Sequence, residues 1–152
     1  MLVLISNKWV MYTQQNELKD NKVSTQLKLA ALWTSFMFLY IYVDVFHLFM
    51  PGKLADIQNG RVFVFDITQG FLLAALASVS LPALMIALSV VLPAKINRCT
   101  NIMVATVYIP YSLFNLVGEA WMHMVLGAAL EVGLLWLIIR YAWKWAKSET
   151  WD

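Results

Sequence analysis

Six ionisable side chains fall within or at the edges of long apolar runs: Asp44, His47, Asp66, Glu119, His123 and Glu131. Such groups are costly in hydrocarbon, so each marks a candidate site for a proton, an ion or a polar ligand. Helical spacing decides which of them can meet. Trp33, Met37, Tyr40, Asp44, His47 and Pro51 follow a 4-3-4-3-4 spacing, which puts Asp44 and His47 one turn apart on one face. His123, Gly127 and Glu131 form a stripe spaced by four, with Glu119 one turn before it. Tyr108, Ser112, Asn115 and Glu119 continue a polar line toward the same end. Asp66, Gly70, Ala74 and Ser78 are again spaced by four, with small residues that let another helix approach closely. Brought together, these seams would make a partly hydrated pocket opening outward. Its ligand- or proton-binding candidates are Asp44, His47, His123, Glu131, Glu119, Tyr40 and Asn115.

Each candidate also has a plainer reading. Asp44 and His47 can satisfy each other and a tyrosine hydroxyl, fixing helix register, or can sit at the membrane–water boundary. Asp66 and Glu119, near span ends, read as interfacial caps as readily as site residues. Glu131 is the deepest, about 12 residues or about 18 Å before the basic end of the last apolar run. A charge at that depth needs a partner. By ligand type, His47, His123, Asp44 and Glu119 would suit Zn, Mn or Fe. The chain lacks H-E-x-x-H and Glu-x-x-His pairs, however, and two histidines are the bare minimum for a haem. No cofactor is expected. Gly-rich phosphate loops and a convincing Ser-His-Asp set are absent, so an enzyme is not the expected class. Phe38, Tyr40, Tyr42, Phe46, Tyr108 and Tyr111 read as packing, with a cation or quinone pocket as the alternative. Pro82 and Pro110, inside apolar runs, each free a backbone carbonyl.

The elements that must position these residues are set by composition. Of 152 residues, 61% are hydrophobic and 13% charged, against about 45–50% and about 25% in a soluble domain. A chain of this size cannot hide that excess in a core, so lipid is its expected solvent. The expectation is an all-α integral membrane bundle of four transmembrane helices, over about 29–50, 63–92, 102–117 and 120–143 within a domain of 29–147. Residues 1–28 read as a flexible cytoplasmic arm and 148–152 as a tail. The run Met1–Ile5 lacks a basic flank and is too short for a signal-peptide core; Met11 is an alternative start. Of the 11 Lys and Arg, nine flank one side of such a bundle; Lys53 and Arg61 lie on the other. The positive-inside rule then places both termini in the cytoplasm. Trp33, Trp121, Trp136, Trp143 and Trp145 fall near expected span ends, where indoles anchor at headgroups. Pro51-Gly52 and Asn59-Gly60 bound an expected ordered external turn. The net charge of +2 with scattered basic residues excludes a nucleic-acid partner, and the single Cys99 excludes an internal disulfide.

The stretch Leu32-Trp33 through Tyr40-Ile41-Tyr42-Val43-Asp44-Val45, the following Met50-Pro51-Gly52, and the Leu92-Pro93 to Arg98 and Asn101 turn resemble a family of small bacterial four-helix membrane proteins of unknown function. More loosely, the chain is similar to the DoxX-like membrane proteins. The resemblance covers about residues 32–135 and implies four spans in a bacterial inner membrane; it carries over no activity. Three functional classes stay open. The first is a small-molecule, proton or cation binder or carrier, built on the bilayer and as a homodimer in its carrier form. The second is an accessory subunit whose polar residues only fix packing, and the third a His-ligated metal or haem redox protein.

Overall fold

The structure, a computed structural model, describes residues 22–117 and 121–145. Most of the expected arm, the alternative start at Met11, Glu119 and the tail lie outside the described residues. The order is α1 (Thr25–Leu48), α2 (Lys53–Gln58), β1 (Arg61–Val62), β2 (Phe65–Asp66), α3 (Gln69–Val91), α4 (Ala94–Phe114) and α5 (Met122–Trp143).

Local chemistry sets the helix ends. Ser24 caps α1 by accepting the Leu27 amide at 3.3 Å, so Thr25–Lys28 are helical and not part of the arm. Thr68 does the same for α3 through the Phe71 amide at 3.1 Å. Pro51 and Gly52 end the first long helix region, Gly52 turning the chain at φ 86°. Pro93 separates α3 from α4 with no intervening loop.

α4 begins eight residues before the expected 102, absorbing the Lys95–Arg98 turn into its first turns. That polar start has a consequence. Three helices, α1, α3 and α5, are long and apolar enough to cross a membrane by length and composition, and α4 is not one of them. Asn97, Asn101, Tyr108 and Ser112 share its buried face, while Lys95 and Thr106 are exposed.

α1 lies against α3 and α5, α5 against α4, and α3 touches α4. Their shared core is Leu29, Trp33, Phe36 and Met37 from α1, Met85 from α3, Val104, Ala105 and Tyr108 from α4, and Leu135, Ile138 and Ala142 from α5. The expected α1 seam is buried through Met37 and half-buried at Tyr40, but Asp44 is exposed. The seam does not continue to Pro51, because beyond Tyr40 the next core-facing residue is Val43.

The α1–α3 connection is ordered, as the turn signals suggest. It holds α2 and a two-stranded hairpin pairing Arg61 with Asp66 and Val62 with Phe65. Asp66 is therefore in the hairpin, exposed and ion-paired with Arg61 at 3.5 Å, and the expected Asp66–Ser78 stripe starts only at Gly70.

Candidate functional site

Two polar layers cross the packed helices. The first joins α1, α3 and α4. Asn101 Oδ1 accepts the Trp33 indole N–H at 2.7 Å and the Ser89 hydroxyl at 3.2 Å. Asn101 Nδ2 donates to the Asn97 carbonyl at 2.9 Å and to Asn97 Oδ1 at 2.6 Å. Asn97 Nδ2 in turn donates to the Ser89 carbonyl at 2.6 Å. All four side chains are fully buried. Trp33 is thus a core hydrogen-bond donor rather than the headgroup anchor expected of it. The exposed Trp136 and Trp143 do lie at the surface, each under an arginine: Arg140 sits 5.3 Å from the Trp136 ring and Arg98 5.7 Å from that of Trp143.

The second layer starts from a break in α3. Pro82 has no amide, so the Ser78 carbonyl loses its helical partner. The Tyr108 hydroxyl of α4 donates to that carbonyl. The Ser78 hydroxyl donates to the Ala75 carbonyl at 2.7 Å, which leaves it to accept from Tyr111 at 3.3 Å. Tyr111 then accepts from Tyr40 of α1 at 3.2 Å. The order Tyr40→Tyr111→Ser78→Ala75 is the one in which every hydroxyl proton is used once. Ring contacts from Trp33 to Phe36 and Tyr108, then on to Tyr40 and Tyr111, tie this layer to the first.

Glu131 of α5 borders the second layer and is only 2% exposed. Its surroundings include the Ser112 hydroxyl of α4 and the Asp44 carboxyl of α1. The Ser112 hydroxyl is fully buried and makes no hydrogen bond of good geometry. Glu131 and Asp44 both act on Tyr40. What brings α1 and α5 together here is Gly127, one turn before Glu131. A Cβ on Gly127 would lie 2.5 Å from Val43 Cγ2. The space that the glycine leaves one turn before Glu131 is filled by that valine.

The candidates do not form one cluster. Tyr40 and Glu131 border the second layer with Ser112, Ser78, Tyr108 and Tyr111, while Asp44, one turn beyond Tyr40 on α1, is exposed. His47, one turn further on, lines a pocket at the loop end with Lys53, Asp56, Ile57, Arg61, Val62 and Phe63. His123 is at the start of α5, its ring 6.2 Å edge-on from Trp121, and its buried Nε2 has no hydrogen-bond partner. Asn115 is exposed at the end of α4. Among the described residues no three His, Cys, Asp or Glu side chains gather as metal ligands. The first polar layer was missed because Asn97 and Asn101 read as a loop; their i, i+4 spacing beside Ser89 was the available signal.

The architecture is that of a small, mostly helical protein with three helices able to cross a membrane. The chain belongs to the family of unknown function DUF6326, whose profile matches residues 17–151. The looser likeness to DoxX-like proteins is not shown by that match. No curated protein and no solved structure matches the chain.

Proposed function

We propose that this is a multi-pass protein of a bacterial inner membrane, its four long helices all spanning, that binds a small molecule, proton or cation at Glu131. One observation carries the reading: a carboxyl 2% exposed in the middle of an apolar helix. Buried charges are ordinarily paired with opposite ones. A buried acid without an opposite charge beside it is served by a proton or a cation between helices.

In this arrangement α4 crosses with Asn97 and Asn101 turned inward against α1 and α3. Nine basic residues lie on the side of the two termini and two on the hairpin side, which supports a hairpin on the outside. In a Cys99→Ser background, an impermeant thiol reagent should label a cysteine at Asn59 from outside intact cells and spare one at Lys95. Both positions are exposed. The reverse pattern would sink the topology.

A ligand that binds only the folded protein raises its stability. Melting of the wild type in detergent is therefore expected to vary with pH or with added sodium. Glu131→Gln should stay folded and lose that dependence, since the amide keeps shape and hydrogen bonding without the charge. Glu131→Leu should melt lower, because it leaves neighbouring polar groups unpaired. If Glu131→Gln instead keeps the wild-type dependence while Glu131→Leu melts lower, the residue is structural. That outcome would favour the accessory-subunit reading, in which both polar layers serve packing alone.

A further inference from the structure

We propose that the edge shared by α4 and α5, at the end of the bundle that carries the basic residues, binds the headgroup of an anionic phospholipid from the surrounding bilayer. The proposal goes beyond the reading of Glu131 and rests only on α5 crossing the membrane.

Helical geometry builds the surface. Trp136, Arg140, Trp143 and Lys144 fall within about 100° of arc on α5, at about 3.6 residues per turn, and all four are exposed. The Arg140 guanidinium stands 5.3 Å from the Trp136 ring. Arg98, from the first turns of α4, joins the same stripe 5.7 Å from the Trp143 ring. Two indoles thus hold two guanidiniums that come from different helices.

Charge balance calls for an anion there. Arg98, Arg140 and Lys144 carry like charge, and Arg140 and Lys144 are four apart on one helix, where like charges repel. The negative end of the α5 dipole offsets part of this. Lys28 of α1 lies 5.6 Å from the Tyr141 ring, so α1 starts at this end of the bundle. The described acids are elsewhere: Asp44 late in α1, Asp56 and Asp66 in the α1–α3 connection, and Glu131 more than two turns before Arg140. Among the described residues the cluster has no counter-charge. Cation–π attraction uses up no N–H donor, so both planar forks remain for a phosphate, whose oxygens they match in pairs.

The face below the cluster makes that phosphate part of a lipid. Back along α5, Gly133, Ala129 and Val125 continue the stripe and are exposed. With 22 residues, α5 is about 33 Å long. That crosses a hydrocarbon core of about 30 Å and brings its last turn to the level of the headgroups. Acyl chains then lie along the small residues while the phosphate meets the arginines.

The test is quenching of tryptophan fluorescence by brominated phosphatidylglycerol or brominated phosphatidylcholine, added to the full-length protein in detergent micelles. A basic residue facing an anionic lipid surface is worth about fivefold in affinity. The wild type should prefer phosphatidylglycerol, and less so at high salt. Arg98→Gln combined with Arg140→Gln should weaken phosphatidylglycerol binding about 25-fold and leave phosphatidylcholine binding unchanged. Arg98→Lys with Arg140→Lys keeps the charges without the forks and should give an intermediate affinity. Lys22→Gln, at the same end but off the stripe, and Glu131→Gln should both bind as the wild type does. Equal binding of the two lipids by the wild type would overturn the proposal. So would a loss in Lys22→Gln as large as that in the arginine variants, since it would mean a diffuse positive surface. If the glutamine pair does not fold, the lysine pair decides, and wild-type affinity there would overturn the site. Displacement of phosphatidylglycerol by an equal concentration of glycerol phosphate would overturn the lipid in favour of a soluble anion. None of these outcomes bears on Glu131.

Discussion

Asn101→Leu is expected to be among the most destabilising single substitutions in the chain. Asn101 uses both ends of its amide, and leucine replaces none of those bonds. The Trp33 indole N–H and Asn97 Oδ1 would be stranded in a fully buried layer. An interhelical hydrogen bond in a membrane protein is worth only about 0.6 kcal/mol on average. Stranding its partner is the larger effect, about 1–3 kcal/mol for each buried group left unpaired. A loss of about 2–6 kcal/mol follows for the two groups together. Trp33→Phe should cost less at this layer, since Asn101 Oδ1 keeps its bond from Ser89. Adding Trp33→Phe to Asn101→Leu should recover part of the loss by removing one stranded donor. Unfolding of the four proteins in mixed detergent micelles, read as a double-mutant cycle, checks this. Strictly additive losses would mean that the indole and the amide are not coupled.

Gly127→Ala is expected to push α1 and α5 apart. The new methyl would sit 2.5 Å from Val43 Cγ2, with Val43 Cγ1 and Cβ at 3.6 and 3.7 Å. Valine has few alternatives at χ1 within a helix, so the strain passes to the backbones. Overpacking of this kind costs about 1–3 kcal/mol. Val43→Ala alone should also destabilise, by leaving a void. The double variant exchanges one methyl contact for another and should be more stable than Gly127→Ala. Melting temperatures decide it, and a double variant no better than Gly127→Ala would show that the clash is relieved elsewhere. Because Asp44 follows Val43 and Glu131 is one turn from Gly127, any pH dependence of melting should weaken in Gly127→Ala and return in the double variant.

Much of this was legible in the sequence because hydrocarbon is an unforgiving solvent. The excess of apolar residues and the Pro51, Gly52 and Pro93 breaks locate the long helices to within a few residues, except at the starts of α3 and α4. The seam through Trp33, Met37 and Tyr40 is real, and Glu131 stood out by depth alone. What stayed hidden depends on which face a residue presents. An indole at Trp33 has the same composition whether it meets headgroups or Asn101. Asn97 and Asn101 lower the hydropathy of α4 equally whether they sit in a loop or close a buried layer. Asp66 was placed in a helix because Phe63–Phe65 is apolar; the hairpin, with Phe63 at φ 56°, shows that an apolar run can turn back on itself. Asp44 and His47 fall where the cover over α1 thins: its buried residues end at Met37, and beyond that Val43 packs against Gly127.

The bond from Tyr108 to the Ser78 carbonyl bears on how the protein enters a bilayer. With Pro82 in its middle, α3 alone would carry a bare carbonyl into hydrocarbon, where an unsatisfied backbone group costs several kcal/mol. Its remedy lies on the next helix, and only Leu92 and Pro93 separate the two. If α4 crosses as proposed, α3 and α4 are best released from the insertion machinery as a preformed hairpin. The same pairing would let a helix as polar at its start as α4 follow: α3 needs its tyrosine, and α4 needs somewhere to bury its asparagines.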